Sequence, residues 1–188
     1  MKKILLVLTV VVFSINIQAQ QRFNGYVVTN ANDTIKCRFS LEMNIFNDSL
    51  FYDSGISDRA KIFKENGEKV KYLPTELKTV FITGPKQGDY KFVSLEQDQK
   101  HFFHERIKGK LSFYILYKGN ISGGFPLQMH YFLKNGILVQ IKGSNARKKF
   151  AELIIDFPEL YEKWIDSDKF YKLNQFEEVI NLYNEHFK

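Results

Sequence analysis

The chain has 188 residues, 44% hydrophobic and 26% charged, with 27 Lys and Arg against 21 Asp and Glu for a net charge of +6. That length suits one domain with a substantial core, and so small a basic surplus, with no run denser than Arg147-Lys148-Lys149, gives no nucleic-acid footprint. The single cysteine, Cys37, excludes an internal disulfide framework, so with 18 Phe and 10 Tyr the core must rest on aromatic packing.

Lys2 and Lys3, the apolar run Ile4 to Phe13, and Ile17-Gln18-Ala19 with its small final residue have the order of a signal peptide. The run is shorter than the ~20 residues that cross a bilayer, and no stop-transfer stretch follows it. A lipoprotein leader would place a cysteine at the new N-terminus, but Cys37 lies well inside. The expectation is cleavage after residue 19 and a periplasmic or secreted chain without an integral membrane segment. The 169 residues left would hold 25 basic and 21 acidic side chains, a charge of +4. Residues 20–188 are expected to form a single α+β domain, β-rich over 20–143 and helical over 144–188.

Phe23–Thr29 and Thr34–Leu41 flank the polar turn 30–33 and form a hairpin candidate. In the second strand Ile35, Cys37, Phe39 and Leu41 alternate with Lys36, Arg38 and Ser40, the period of a half-buried strand. Cys37 then points inward, where a thiol behaves as a small apolar group. Asn66-Gly67 and Asn135-Gly136 mark tight hairpins, because both central residues of a type I′ turn need positive φ. Two-residue loops would pair Phe63 with Val70, Glu65 with Glu68, Phe132 with Val139, and His130 with Ile141. Thr79–Thr83, Tyr90–Ser94 and Leu111–Tyr117 are further strands, whereas Gln99–Ile107 suits a helix or a strand. The fold class expected is a mainly antiparallel sheet, curled or doubled, followed by about three C-terminal helices.

Ala146, Phe150, Leu153, Ile154 and Phe157 form one helical stripe, capped at Ser144 or Asn145 and stopped by Pro158. Pro158 can open the next helix, with Leu160, Tyr161, Trp164 and Ile165 on one side. A third is expected from Asn174, with Glu177 in capping-box spacing and a stripe of Phe176, Val179, Ile180, Tyr183 and Phe187. Helices this short must dock on the sheet or on each other.

Gly25-Tyr26-Val27-Val28-Thr29 followed by Asp33-Thr34-Ile35-Lys36 resembles the opening hairpin of uncharacterised exported, signal-peptide-bearing β-rich proteins common in Bacteroidetes. In that pattern a Gly precedes the Asp and another comes two residues after the Ile; here Asn32 and Cys37 take those places. The later Asn-Gly hairpin and the helix ending Asp156-Phe157-Pro158-Glu159-Leu160 are similar in order. The resemblance implies an exported β-sheet protein with a helical tail, and brings no catalytic residues.

The chemistry-bearing residues favour structural roles. His101 and His104 could share a metal on a helix but diverge on a strand; no third ligand is evident, and neither metal nor cofactor is expected. His130 fits a core position, and His186 a helix C-terminus. No Gly-x-Ser-x-Gly elbow occurs, and Asp53-Ser54-Gly55 and Ser57-Asp58 have turn composition. Asp156 fits a helix boundary. The binding candidate is the glycine loop Gly119, Asn120, Ser122, Gly123, Gly124 and Phe125, which lacks the ending of a phosphate-binding loop. No catalytic set is recognisable, so the leading expectation is a non-catalytic envelope protein that binds an envelope protein or glycan, through an open sheet edge rimmed by this loop. The alternatives are a carbohydrate-binding module using exposed Tyr or Trp164, and a small envelope-directed hydrolase with paired carboxylates.

Overall fold

The computed structural model describes residues 22–41, 43–44, 47–51, 54–84, 88–119, 127–166 and 169–188. The leader expected over residues 1–19 lies outside them. The chain order is β1 (Arg22–Thr29), β2 (Thr34–Ser40), β3 (Met43–Asn44), β4 (Asn47–Phe51), α1 (Ser54–Ser57), β5 (Ala60–Lys64), β6 (Lys69–Tyr72) and β7 (Leu77–Thr83). There follow β8 (Tyr90–Leu95), β9 (Asp98–Ile107), β10 (Leu111–Lys118), β11 (Leu127–Lys134) and β12 (Ile137–Ile141). The helices α2 (Ala146–Leu153), α3 (Pro158–Ile165) and α4 (Phe176–His186) end the chain.

Ten strands form one antiparallel sheet in the order β12-β11-β10-β9-β8-β7-β1-β2-β5-β6, and β3-β4 is a separate ribbon. The fold is α+β with the sheet dominant. Helix is not confined to the tail, because α1 stands among the strands. It touches β5, β9 and β10, although β5 and β10 are six places apart in the sheet. Six strand spacings in a flat sheet would put about 29 Å between them, several times the length of a four-residue helix. The sheet therefore curls around α1, with Ile56 only 1% exposed and Ser57 Oγ donating to the Tyr117 carbonyl at 2.6 Å.

The concave face carries one apolar cluster that runs from Phe39 and Ile62 through Val80, Phe92 and Phe102 to Phe132. Phe150, Trp164, Phe176 and Tyr183 of the helices join the same cluster. Phe150 meets the rings of Phe132, Trp164 and Phe176 at 5.3, 4.7 and 4.8 Å. These edge and tilted contacts are the preferred geometry of aromatic pairs. The helices are thus held by the stripes that the sequence displays. A second, smaller cluster lies on the other face, where Phe103, Tyr114 and Leu116 pack with Met129, Tyr131, Leu133 and Leu138.

The β2 alternation is as expected: Cys37 pairs with Gly25 and Phe39 with Phe23, and both Cys37 and Phe39 are buried. Gln99–Ile107 belongs to strand β9, because Phe102 and Phe103 each find an apolar cluster on their own side of the sheet. Asn135-Gly136 forms the expected two-residue turn, with positive φ at both residues and Phe132 opposite Val139. Asn66-Gly67 does not. Phe63 pairs with Lys69 and Ile62 with Val70, so the loop holds three residues, and only Gly67 has positive φ. Asn66 Oδ1 accepts from the Glu68 N–H at 3.0 Å, which favours a turn of ordinary φ at Asn66 over the mirror-image type.

Other boundaries also move. α2 ends at Leu153, four residues before the expected stop, where the Ile154 N–H bonds the Ala151 carbonyl in a tightened last turn; Phe157, ahead of Pro158, sits at φ −125, ψ 83. Ile154, outside the helix, stays fully buried. Pro158 opens α3, but Ile165 is 45% exposed rather than part of the buried side. The capping box at Asn174 and Glu177 is absent. α4 begins at Phe176 without a side-chain cap, since Glu177 instead accepts from Arg106 Nε on β9 at 2.9 Å. Asn145 takes the N-cap position of α2, as expected, but makes no side-chain cap bond.

Candidate functional site

Of the glycine loop, Gly119 is described: it follows β10, is exposed, and has open space around it. Asn120, Ser122, Gly123, Gly124 and Phe125 lie outside the described residues. The loop's attachments are clear, because Lys118 pairs with Leu127 across the β10–β11 ladder. The described strand ends on either side of it thus stand next to each other, and β11 in turn pairs with the edge strand β12.

That corner holds a groove of about 570 Å³, lined by Leu127, Met129, His130, Ile141, Leu173 and Phe176 among others. Leu127 is 61% exposed and Leu173 42% exposed, while Ile141 and Phe176 are buried at its floor. His130 faces Ile141 across the ladder and meets the rings of Phe113 and Phe176 edge-on at 5.5 and 5.8 Å. Burial lowers its proton affinity, only partly offset by the charge of Glu177. The groove is thus an apolar slot with a largely neutral imidazole in its wall, suited to an aliphatic or aromatic side chain.

The β12 edge borders this groove. Lys134 and Ile137 flank the two-residue turn as a hydrogen-bonded pair, and the type alternates along the ladder. Phe132–Val139 and His130–Ile141 are therefore hydrogen-bonded pairs too. The N–H and C=O of Leu138 and Gln140 point the other way, and among the described residues no strand lies on that side. Ile-Leu-Val-Gln-Ile carries no charge, and Ile137 is 66% exposed. The opposite edge, β6, reads Lys69-Val70-Lys71-Tyr72. Lysines along an edge discourage pairing with another strand; β12 lacks that protection.

The remaining candidates serve the fold. His101 and His104 stand on opposite faces of β9. His101 Nδ1 is 2.9 Å from Asp98, whereas His104 is buried among Tyr90, Phe92 and Tyr117, with Nδ1 3.2 Å from the Tyr117 hydroxyl. Burial, helped by the charge of Arg106, pushes His104 down to about 4. Among the described residues no three His, Cys, Asp or Glu side chains converge as metal ligands. Burial pushes the Cys37 thiol up to about 12, far from the range of a reactive thiolate. Ser57, expected in a turn, is in α1 and is held by Tyr117. His186 stacks on Phe157 at 3.9 Å. Trp164 is fully buried, so it offers no platform for a sugar ring.

Two side-chain junctions escaped sequence reasoning. Lys134 donates to the Leu153 carbonyl at 2.6 Å and to Asp156 at 2.8 Å, and the Tyr183 hydroxyl donates to Asp156 at 2.9 Å. Burial raises the Asp156 carboxyl, but the bonds from Lys134 and Tyr183 and the lysine charge carry it below its ordinary range. Arg147, part of the densest basic run, turns inward: it donates to the carbonyls of Trp164 and Tyr171 at 2.5 and 2.8 Å and receives the Trp164 indole N–H on its own carbonyl. One signal was available, since Lys134 falls on the inward parity of Phe132 and His130, where a lysine needs a partner. Among the described residues no helix is long and apolar enough to cross a membrane. Compared with family models, curated proteins and solved structures, the chain matches none.

Proposed function

We propose that the chain is an exported, non-catalytic binding protein of the cell envelope that takes an extended segment of an envelope protein along β12. The uncharged edge of β12, unpartnered among the described residues, beside the apolar groove carries this reading. A strand added there gains backbone hydrogen bonds at Leu138 and Gln140, and a side chain of the added strand can enter the slot by His130 and Phe176. The leader pattern over residues 1–19 supplies the location, periplasmic or secreted, and residues 20–188 act as one domain. Membership of the exported Bacteroidetes group is part of the same proposal, on the leader and the opening hairpin.

A glycan platform is disfavoured by the burial of Trp164. A hydrolytic carboxylate pair is disfavoured at Asp156 and Glu68, both held low in the manner of paired anions rather than of a general acid. The test is a photo-reactive residue placed at Gln140, or at Lys71 on β6 as the control, followed by irradiation of intact cells. A discrete crosslinked species from position 140 alone is expected. Equal products from both edges, or none from position 140, would remove β12 as the docking edge.

A further inference from the structure

We propose that the strand closing β12 is β12 of a second copy of this chain, related by a twofold axis through Val139; this rests on the reading of β12 as a docking edge. The parity of the ladder makes the edge self-complementary. With the axis at Val139, Leu138 lies opposite Gln140 of the second copy, and Gln140 opposite its Leu138. These are the two residues whose N–H and C=O point outward, so each pair exchanges two backbone hydrogen bonds, as a hydrogen-bonded antiparallel pair requires. A register shifted by one residue would lose this match.

The side chains agree with the backbone. On the concave face Val139 meets Val139, and Ile137, 66% exposed in one chain, comes to lie beside the strand carrying Ile141 of the other copy. On the other face Leu138 ends the apolar row formed with Leu133 and Tyr131. Across the axis Leu138 lies beside the aliphatic stem of Gln140 of the second copy, with that copy's Leu138 as its diagonal neighbour. No charge on β12 opposes its own image, whereas pairing β6 with itself would set Lys69 and Lys71 against lysines, which is destabilising. A C2 contact of this kind is closed, because each copy uses the same edge of its ten-stranded sheet.

Analytical ultracentrifugation of the purified protein tests the proposal, with three variants. The wild type is expected to sediment as a dimer. Leu138→Pro removes an outward N–H that the single chain does not use, and Ile137→Lys places charge on an exposed residue. Each should weaken association roughly tenfold or more while leaving the far-UV circular dichroism of the sheet nearly unchanged. Val139→Cys should form a disulfide across the axis under mild oxidation, because a non-hydrogen-bonded pair brings Cα atoms to about 4.5 Å. A monomeric wild type that crosslinks through position 140 to a different envelope protein would overturn the second copy yet keep the docking edge. A monomer that crosslinks to nothing would remove both, and a dimer insensitive to Leu138→Pro and Ile137→Lys would place the interface elsewhere.

Discussion

Burial of His104 ties the stability of the sheet to pH. An exposed histidine in the unfolded chain takes its proton near 6.5, but the buried ring resists down to about 4. Between those values the unfolded state holds the extra proton, so stability falls as pH drops through the window and is not regained below it. The full loss is about 3 kcal/mol. Urea titrations from pH 7 to 4 should show that decline, and His104→Gln should flatten it; an equal decline in the variant would assign the effect to other groups. The sequence made the inward direction of Cys37 and His130 legible, because strand alternation fixes a face. It did not reveal Asn184, which donates to the Leu111 carbonyl and accepts from its N–H, both at 2.9 Å. That contact joins residues 73 positions apart, and no local period encodes it.

At the level of elements, hairpins were legible where the turn residues left one solution. Asn135-Gly136 supplies two positive φ values; at Asn66-Gly67 the side chain of Asn66 caps Glu68 and selects a longer loop. The two turns share a dipeptide and differ in what the flanking side chains bond. Asn32, in the β1–β2 turn, has φ 69, a conformation asparagine tolerates better than most residues. Gly25 has another reason to lack a side chain. A Cβ there would stand 2.0 Å from the Phe81 carbonyl oxygen and 2.8 Å from the Phe39 ring. Gly25→Ala must part β1 from β7, at a cost of about 3 kcal/mol. Thermal melts should show that loss, and a melting temperature within a degree or so of the wild type would contradict the tight β1–β7 contact.

For the whole molecule, the sequence displayed the sheet and the helical stripes but not the strand order. Placing the β1–β2 hairpin between β7 and β5 depends on contacts made after the chain has doubled back, and α1 was hidden in a stretch of turn composition. Ile56 is the buried plug of α1, the helix that touches both β5 and β10 on the concave side. Ile56→Ala should cost about 2 to 4 kcal/mol by opening a cavity. Denaturant melts should show that loss, whereas a loss under 1 kcal/mol would mean the curl does not depend on the plug (about the scale of a surface substitution). The edge at the far end of the sheet is open to the most direct measurement. Amide hydrogen exchange at Leu138 and Gln140 should slow as protein concentration rises or envelope extract is added, with the β6 amides unchanged. Exchange at those two amides that stays fast under both conditions would contradict β12 as the surface through which this protein binds.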